Sequence, residues 1–136
     1  MPTTQPPHDP GYAVRFTTRD DLLRVEVSGD IDAQEVRIAY WRAIAAEARA
    51  RGVRKLLVTD RKKGQPANPS ELAELALLFQ EEAKNFDRIA VIEPTLEFMP
   101  ALEHAEIFGR GVGINIRIFC EYDPAERWLR YGSPDD

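Results

Sequence analysis

Acidic residues that could bind a metal ion follow the apolar stretches of this sequence. Asp30 and Asp32 come after one such stretch, Asp60 ends the next, and Glu93 follows a third. If these stretches are parallel strands, their carboxyl ends meet at one sheet edge, where carboxylate oxygens could hold a hard cation. Acids are also ordinary in solvated turns and at helix caps, and we favour that interpretation and predict no metal or other cofactor. The complete set at this edge is Ser28, Asp30, Asp32, Thr59, Asp60, Glu93, Glu121 and Asp123.

Basic residues make a second candidate site. Arg61, Lys62 and Lys63 precede a predicted helix start. The N–H groups and dipole of a helix N-terminus favour an anion, so a phosphorylated partner or a lipid headgroup could bind there. The Gly-x-x-x-x-Gly-Lys-Ser/Thr spacing of a phosphate loop is absent, which favours a flexible basic loop instead.

Residues for nucleophilic catalysis are few. Cys120 is the single cysteine, and His104 is the one histidine beyond residue 11. A nucleophile needs a base within hydrogen-bond reach. Cys120, however, continues the alternation of Ile114, Ile116 and Ile118, which predicts a small buried residue, and His104 is predicted to lie on a helix surface. With no Gly-x-Ser-x-Gly or His-Glu-x-x-His motif, the sequence favours a non-enzymatic protein, and a small hydrolase is an alternative.

Length and composition are typical of one globular domain. The chain has 136 residues, of which 43% are hydrophobic, enough for a core without disulfides or a metal. Residues 1–11 hold four prolines and are predicted to be a disordered tail, residues 12–131 the domain, and residues 132–136 a second tail.

Charge and apolar patterning limit the partners. The net charge of -5 argues against general binding to nucleic acid. No apolar run approaches the roughly 20 residues of a membrane-spanning helix, and no signal peptide is recognisable. A single cysteine fits a reducing compartment, so we expect a cytoplasmic protein.

The elements that must position these residues are organised around the stretch Leu22 to Val36. Leu23, Val25 and Val27 alternate with polar residues, as in a strand with one buried face. Asp32, followed three residues later by an acid, predicts a capping box at a helix start.

Continuous apolar runs predict the central strands. Lys55 to Asp60 and Ile89 to Ile92 lack alternation, which is typical of strands covered on both faces. A strand from about Tyr12 should pair antiparallel with the organising strand, and a strand from Ile114 should lie at an edge. The predicted fold class is α/β, with a single mixed, mostly parallel five-stranded sheet, about four helices and the order β-β-α-β-α-β-α-β-α.

The first predicted helix runs from Ala33 to about Arg51, where Gly52 is a fitting stop. Its apolar stripe must face the sheet, but Ile38 and Trp41 widen the apolar surface beyond that stripe. These two residues either pack at the helix edge or form a partner surface, which would make a homodimer plausible.

Three later helices carry start or stop signals. Asn68, Pro69 and Glu71 predict a capping box for a second helix, whose apolar face continues to Phe86. Pro100 suits the start of a third helix, and Gly109, Gly111 and Gly113 are predicted to end it. Asp123 is predicted to cap the last helix, which Trp128 and Leu129 anchor.

This order resembles the STAS/SpoIIAA-like families over residues 12–131. The closing pattern is most similar to the SpoIIAA-like branch that is grouped with Sec14-type lipid-binding domains. The resemblance implies a regulatory module that acts through protein contacts or an apolar or lipid ligand. The stretches that carry it are LLRVEVSGDID, KLLVTD, RIAVI and NIRIFCEYDPAERWL.

In the lipid-binding interpretation, a helix and its glycine-rich exit could lift to admit an acyl chain. The apolar residues that could form such a pocket or gate also suit an ordinary core. They are Phe98, Met99, Leu102, Ile107 and Phe108.

In anti-sigma-factor antagonists of the STAS family, a serine in an Asp-Ser-Ser/Thr-Gly motif is phosphorylated after the central strand. This sequence has Asn68-Pro69-Ser70-Glu71 there. Ser70 alone carries over as a candidate phosphoacceptor, because Asn68 replaces the acid and Glu71 the glycine. A phospho-regulated partner switch is therefore an alternative to plain ligand or partner binding.

Overall fold

The computed structural model describes residues 12–30, 33–61 and 67–132. The predicted tail at residues 1–11 lies outside these residues, as does the predicted tail at 132–136 except for Gly132. Within them, a 3-10 turn over Leu96–Phe98 precedes the fourth helix. The elements are β1 (Ala13–Arg19), β2 (Leu22–Ser28), α1 (Gln34–Arg51), β3 (Lys55–Asp60), α2 (Pro69–Leu78), α3 (Gln80–Ala83), β4 (Arg88–Ile92), α4 (Met99–Gly111), β5 (Ile116–Phe119) and α5 (Tyr122–Tyr131).

The five strands form one sheet in the order β1-β2-β3-β4-β5. β1 and β2 are antiparallel, and each following pair is parallel. The predicted α/β class and mixed sheet are confirmed. Right-handed crossovers between neighbouring parallel strands place their helices on one face. The α1, α2 and α4 helices therefore share a face, and α5 packs against the other.

Apolar residues of the strands divide between the two faces as their patterns predict. Val25 and Val27 of β2 belong to the larger core cluster, under α1. In β3, Leu56 joins that cluster while Leu57 joins the smaller one under α5. The central strands are thus covered on both faces, as predicted from their continuous apolar runs.

The first helix has the predicted stripe and stop. Val36, Tyr40, Ile44 and Ala48 are all buried, and Gly52 ends the helix in the left-handed conformation with φ 68°. The helix begins at Gln34, and its N-cap, Ala33, makes no side-chain cap hydrogen bond. Asp32, the predicted cap, lies outside the described residues.

The α2 helix begins with the predicted capping box. Asn68 Oδ1 accepts the Glu71 N–H at 2.8 Å, and Glu71 Oε1 accepts the Asn68 N–H at 3.1 Å. The prediction of one helix reaching towards Phe86 was wrong, because α2 ends at Leu78 and α3 follows after Phe79. Phe79 has φ -105° and ψ 11°, outside the α-helical region, although neither glycine nor proline marks this break.

The α4 helix has Pro100 in its first turn, as predicted. It continues through Gly109 and ends at Gly111, so the prediction that Gly109 ends it was wrong, whereas the end at Gly111 was predicted. Gly113, with φ 93°, lies in the turn that follows. Gly109 is buried, and a Cβ placed on it would lie 3.1 Å from Ile116 Cγ2 of β5. The missing side chain lets α4 approach the sheet closely.

The end of the chain differs from its sequence pattern in two places. The strand β5 stops at Phe119, so Cys120 leaves the alternation and is exposed; the prediction that it is buried was wrong. α5 begins at Tyr122 with Glu121 as its N-cap and no side-chain cap hydrogen bond, so Asp123 is not the cap. Trp128 and Leu129 are buried, as predicted. None of the helices in the described part of the chain is long and apolar enough to cross a membrane.

The close approach at Gly109 predicts a stability effect. Gly109→Leu should destabilise the fold by about 1–3 kcal/mol, since the new side chain must displace α4 from β5. Gly111→Ala, in the same helix with nothing within 4 Å, should be neutral or up to about 1 kcal/mol more stable. Urea denaturation measures both, and a Gly109→Leu variant as stable as the wild type would refute the close packing.

Candidate functional site

A cavity of about 450 Å³ lies between the sheet and the helices on its α1 face. The helices α2 and α4 pack against each other over the sheet. Small residues on these helices, Ala76, Ala101 and Ala105, line the space and leave it unfilled. The cavity is therefore a product of where small side chains fall on the two covering helices.

The walls of the cavity are mainly apolar. Its floor is formed by β3, β4 and β5, and its roof by α2, the break at Phe79 and α4. Leu102 and Ala105 of α4 and Leu72 and Leu75 of α2 also line the space. The floor residues are Leu56, Val58, Ile89, Val91, Ile116 and Ile118.

Polar lining residues gather at one end of the cavity. Asp60 is the last residue of β3, and Glu93 and Thr95 follow β4, so all three lie at the carboxyl ends of the strands. Glu93 Oε2 accepts the Thr95 N–H at 3.0 Å, which shapes the loop there. This edge is where open α/β sheets bind ligands.

Arg37 is a charged residue with only 4% of its surface exposed, and it lines the polar end. Its Nη1 donates to Gln34 Oε1 at 3.0 Å and lies 3.5 Å from Glu71 Oε1. Gln34 Nε2 in turn donates to the Glu71 carbonyl oxygen at 2.9 Å. These contacts join the first turn of α1 to the first turn of α2 and satisfy the charge that burial would otherwise penalise.

Tyr40 also brings a polar group to this end. Its ring is 4% exposed, and its hydroxyl lies 3.4 Å from Asp60 Oδ2. The ring of Tyr12 packs against it with centroids 6.2 Å apart. Sequence reasoning assigned Tyr40 to the apolar stripe and overlooked both its hydroxyl and Arg37, which lies next to that stripe.

The residues predicted to form an apolar pocket or gate separate into three groups. Phe98 and Leu102 line the cavity. Met99 and Phe108 are half-buried but do not line it. Ile107 is 70% exposed on the outer side of α4.

The predicted partner surface on α1 is partly covered. Trp41 lines the cavity and packs against the larger core cluster, and its ring centroid lies 6.0 Å from that of Tyr40 with the two rings tilted by 33°. Ile38 is half-buried. The helix-edge role of Trp41 has a structural basis, and a homodimer through these residues stays a prediction.

The predicted anion and phosphorylation sites flank the polar end. Arg61 lines the cavity and lies 3.6 Å from Glu26 Oε2, while Lys62 and Lys63 lie outside the described residues. Ser70 is exposed in the first turn of α2. It immediately precedes Glu71, which contacts Arg37.

Catalytic and metal-binding groups are sparse in the described residues. Cys120 and His104 are both exposed and do not hydrogen-bond to each other. Among the residues in the described ranges, no three or more His, Cys, Asp or Glu side chains are grouped as a metal site requires.

The carboxyl and phenol groups with shifted pKa values lie away from the cavity. A hydrogen bond from Lys55 lowers the pKa of Asp21, at the turn between β1 and β2. Burial raises the pKa of Tyr122, on the α5 face of the sheet. Both pKa shifts arise from packing and contacts of the fold, at residues that do not line the cavity.

A comparison with protein-family models places most of the chain in a known family. A family model described as SpoIIAA-like matches residues 22–130, from β2 to α5. The match does not test the resemblance to the Sec14-type lipid-binding branch, which stays a prediction. A comparison with curated proteins found no similar sequence.

Arg37 should be required for the junction between α1 and α2. Arg37→Met should lower the free energy of unfolding by about 1–3 kcal/mol, because Gln34 and Glu71 lose a charged donor. Arg42→Met, an exposed position of the same helix, should change it by less than about 0.5 kcal/mol. Equal losses in the two variants, measured by urea denaturation, would show that the buried contacts contribute nothing specific.

Proposed function

Since this chain belongs to the SpoIIAA-like family, we propose that it is a non-enzymatic regulatory module that binds an apolar or lipid ligand in the cavity beneath α2 and α4. The family supports the regulatory part of this proposal. The ligand part is supported by the cavity and by the chemistry of its lining.

The observation that carries the proposal is the size and apolar character of the cavity. Its volume of about 450 Å³ falls within the range of small-molecule sites, roughly 300–1,000 Å³. Its lining is mainly apolar, so water in this space forms few hydrogen bonds with the protein. An apolar ligand would displace that water and bury apolar surface.

The roof of the cavity is the part that would move to admit a ligand. The helical path breaks at Phe79, between α2 and the four-residue α3, and Phe79 itself lines the cavity. Leu77 and Leu78, just before the break, are 55% and 49% exposed. A segment with a broken helix and few buried residues opens at lower cost than the central strands.

Filling the cavity should abolish ligand binding without unfolding the protein. Ala105→Phe places a ring in the space, so the protein should lose its binding of Nile red, an uncharged apolar dye. Its stability should be unchanged or raised by up to about 2 kcal/mol, because the ring buries apolar area. Fluorescence titration measures binding and thermal unfolding measures stability.

The matched control is Ala46→Phe, on the exposed side of α1. It should bind Nile red as the wild type does. If wild-type protein does not bind the dye, or if Ala105→Phe binds it equally well, the cavity is not a ligand site. If wild-type protein binds the dye and Ala105→Phe does not, native mass spectrometry of protein purified from its own host would identify the natural ligand.

A second candidate function is a phospho-regulated partner switch using Ser70. The observation that favours it is the exposure of Ser70 in the first turn of α2, where a phosphate is stabilised by the helix dipole. Its neighbour Glu71 holds both the capping box and the contact with Arg37. A phosphate at Ser70 would therefore act on the junction between α1 and α2.

Kinase treatment tests this switch. Lysates of the host, supplied with radiolabelled ATP, should label wild-type protein and not Ser70→Ala. The control is Ser28→Ala, which removes the exposed serine at the end of β2 and should leave labelling intact. Equal labelling of wild type and Ser70→Ala, or none of either, would rule out Ser70 as the phosphoacceptor.

A further inference from the structure

We infer that the ligand of the cavity is an uncharged amphiphile whose hydroxyl-bearing head lies at the carboxyl ends of β3 and β4. Its apolar chain would lie beneath α2 and α4. This inference rests on the proposed binding function and adds the chemical class and the orientation of the ligand.

The orientation follows from a change of polarity along the strands. At the amino-terminal end of β3 and β4, the lining consists of apolar side chains such as Leu56, Ile89 and Phe86. Among the described lining residues at that end, the one charged side chain is Glu82, which is 36% exposed and lies 3.5 Å from Arg49. An apolar chain fits this end, and a polar head does not.

The opposite end has charges of both signs. Arg37 and Arg61 line it together with Asp60, Glu93 and Glu97. A carboxylate head would lie beside three carboxylates, and an ammonium head beside two guanidinium groups. Either placement brings like charges together in a partly desolvated space. A head without net charge avoids both costs.

The hydrogen-bonding groups at this end complement a hydroxyl. Arg37 can only donate and ionised Asp60 can only accept, whereas the hydroxyls of Tyr40 and Thr95 can do either. A ligand hydroxyl can accept from Arg37 or Tyr40 while it donates to Asp60. The Tyr40 hydroxyl lies 3.4 Å from Asp60 Oδ2, a longer separation than the roughly 2.7–2.8 Å usual for such bonds.

The charge of the ligand head can be tested by displacing bound Nile red with amphiphiles that share one chain length and differ in their head group. The compounds are monolaurin, dodecanol, laurate and dodecylamine, all with twelve-carbon chains, at neutral pH. Monolaurin and dodecanol should displace the dye at concentrations at least about tenfold lower than laurate and dodecylamine. Displacement by laurate or dodecylamine at equal or lower concentration would overturn the inference while leaving the cavity function intact.

A substitution at the polar end tests the position of the head. Asp60→Asn removes one negative charge at constant size, so laurate should gain about five- to tenfold in affinity relative to monolaurin. A change in cavity shape that affects the binding of both compounds equally leaves the ratio of their affinities unchanged. Asp123→Asn, at an exposed carboxylate in the first turn of α5 that does not line the cavity, should leave the ratio unchanged.

Different experimental results would overturn the ligand-binding function and the assignment of the ligand head. Wild-type protein that binds neither the dye nor any of the four compounds overturns both the binding function and the head assignment. Dye binding with an unchanged ratio in Asp60→Asn overturns the head assignment alone.

Discussion

The strand order β1-β2-β3-β4-β5 is the constraint on which the rest of the structure depends. Because each parallel strand lies beside the one before it, every right-handed crossover returns over the same face of the sheet. Three crossover helices must therefore share that face, while the opposite face is left to α5 alone. α1 packs on β2 through its buried stripe, and α2 and α4 pack on each other over the sheet. The cavity lies where this second pair covers the sheet with small side chains.

Features that depend on local chemistry were predictable from the sequence. The capping box at Asn68 and Glu71, the stop at Gly52 and the two-sided burial of β3 each follow from neighbouring residue types. Features that depend on packing between residues distant in the sequence were not predictable in this way. The break at Phe79 carries no glycine or proline, and Cys120 is exposed because the strand pairing ends at Phe119, which alternation alone does not show.

In the candidate site, too, features set by local sequence were predictable and features set by distant packing were not. The sequence suggested Phe98 and Leu102 as candidate residues of a pocket or gate but grouped Ile107 with them, although helical periodicity separates these positions. Phe98, Leu102, Ala105 and Gly109 follow the three- and four-residue spacing of one helix face and all line the cavity. Ile107 lies off that face and is exposed. Treating the alanines and the glycine as members of the face would have predicted the cavity wall, since a helix face of small residues leaves space where large ones would fill it.

No local pattern indicates that Arg37 is buried, because its partners Gln34 and Glu71 belong to two different helices.

The polar end links the two candidate functions through one structural junction. Arg37 lines the cavity and contacts Glu71, so a ligand head placed beside Arg37 acts on the same contact that a phosphate on Ser70 would disturb. A ligand can shift an equilibrium between two arrangements of α1 and α2 only by its difference in affinity for them. The buried guanidinium would supply such a difference, since hydrogen bonds to a ligand and the ion pair with Glu71 would draw on the same group. Ligand binding and modification of Ser70 would therefore be energetically coupled, and by reciprocity each would change the other by the same factor. A regulatory module of this family could in this way report the presence of an apolar ligand to a protein partner that contacts the start of α2.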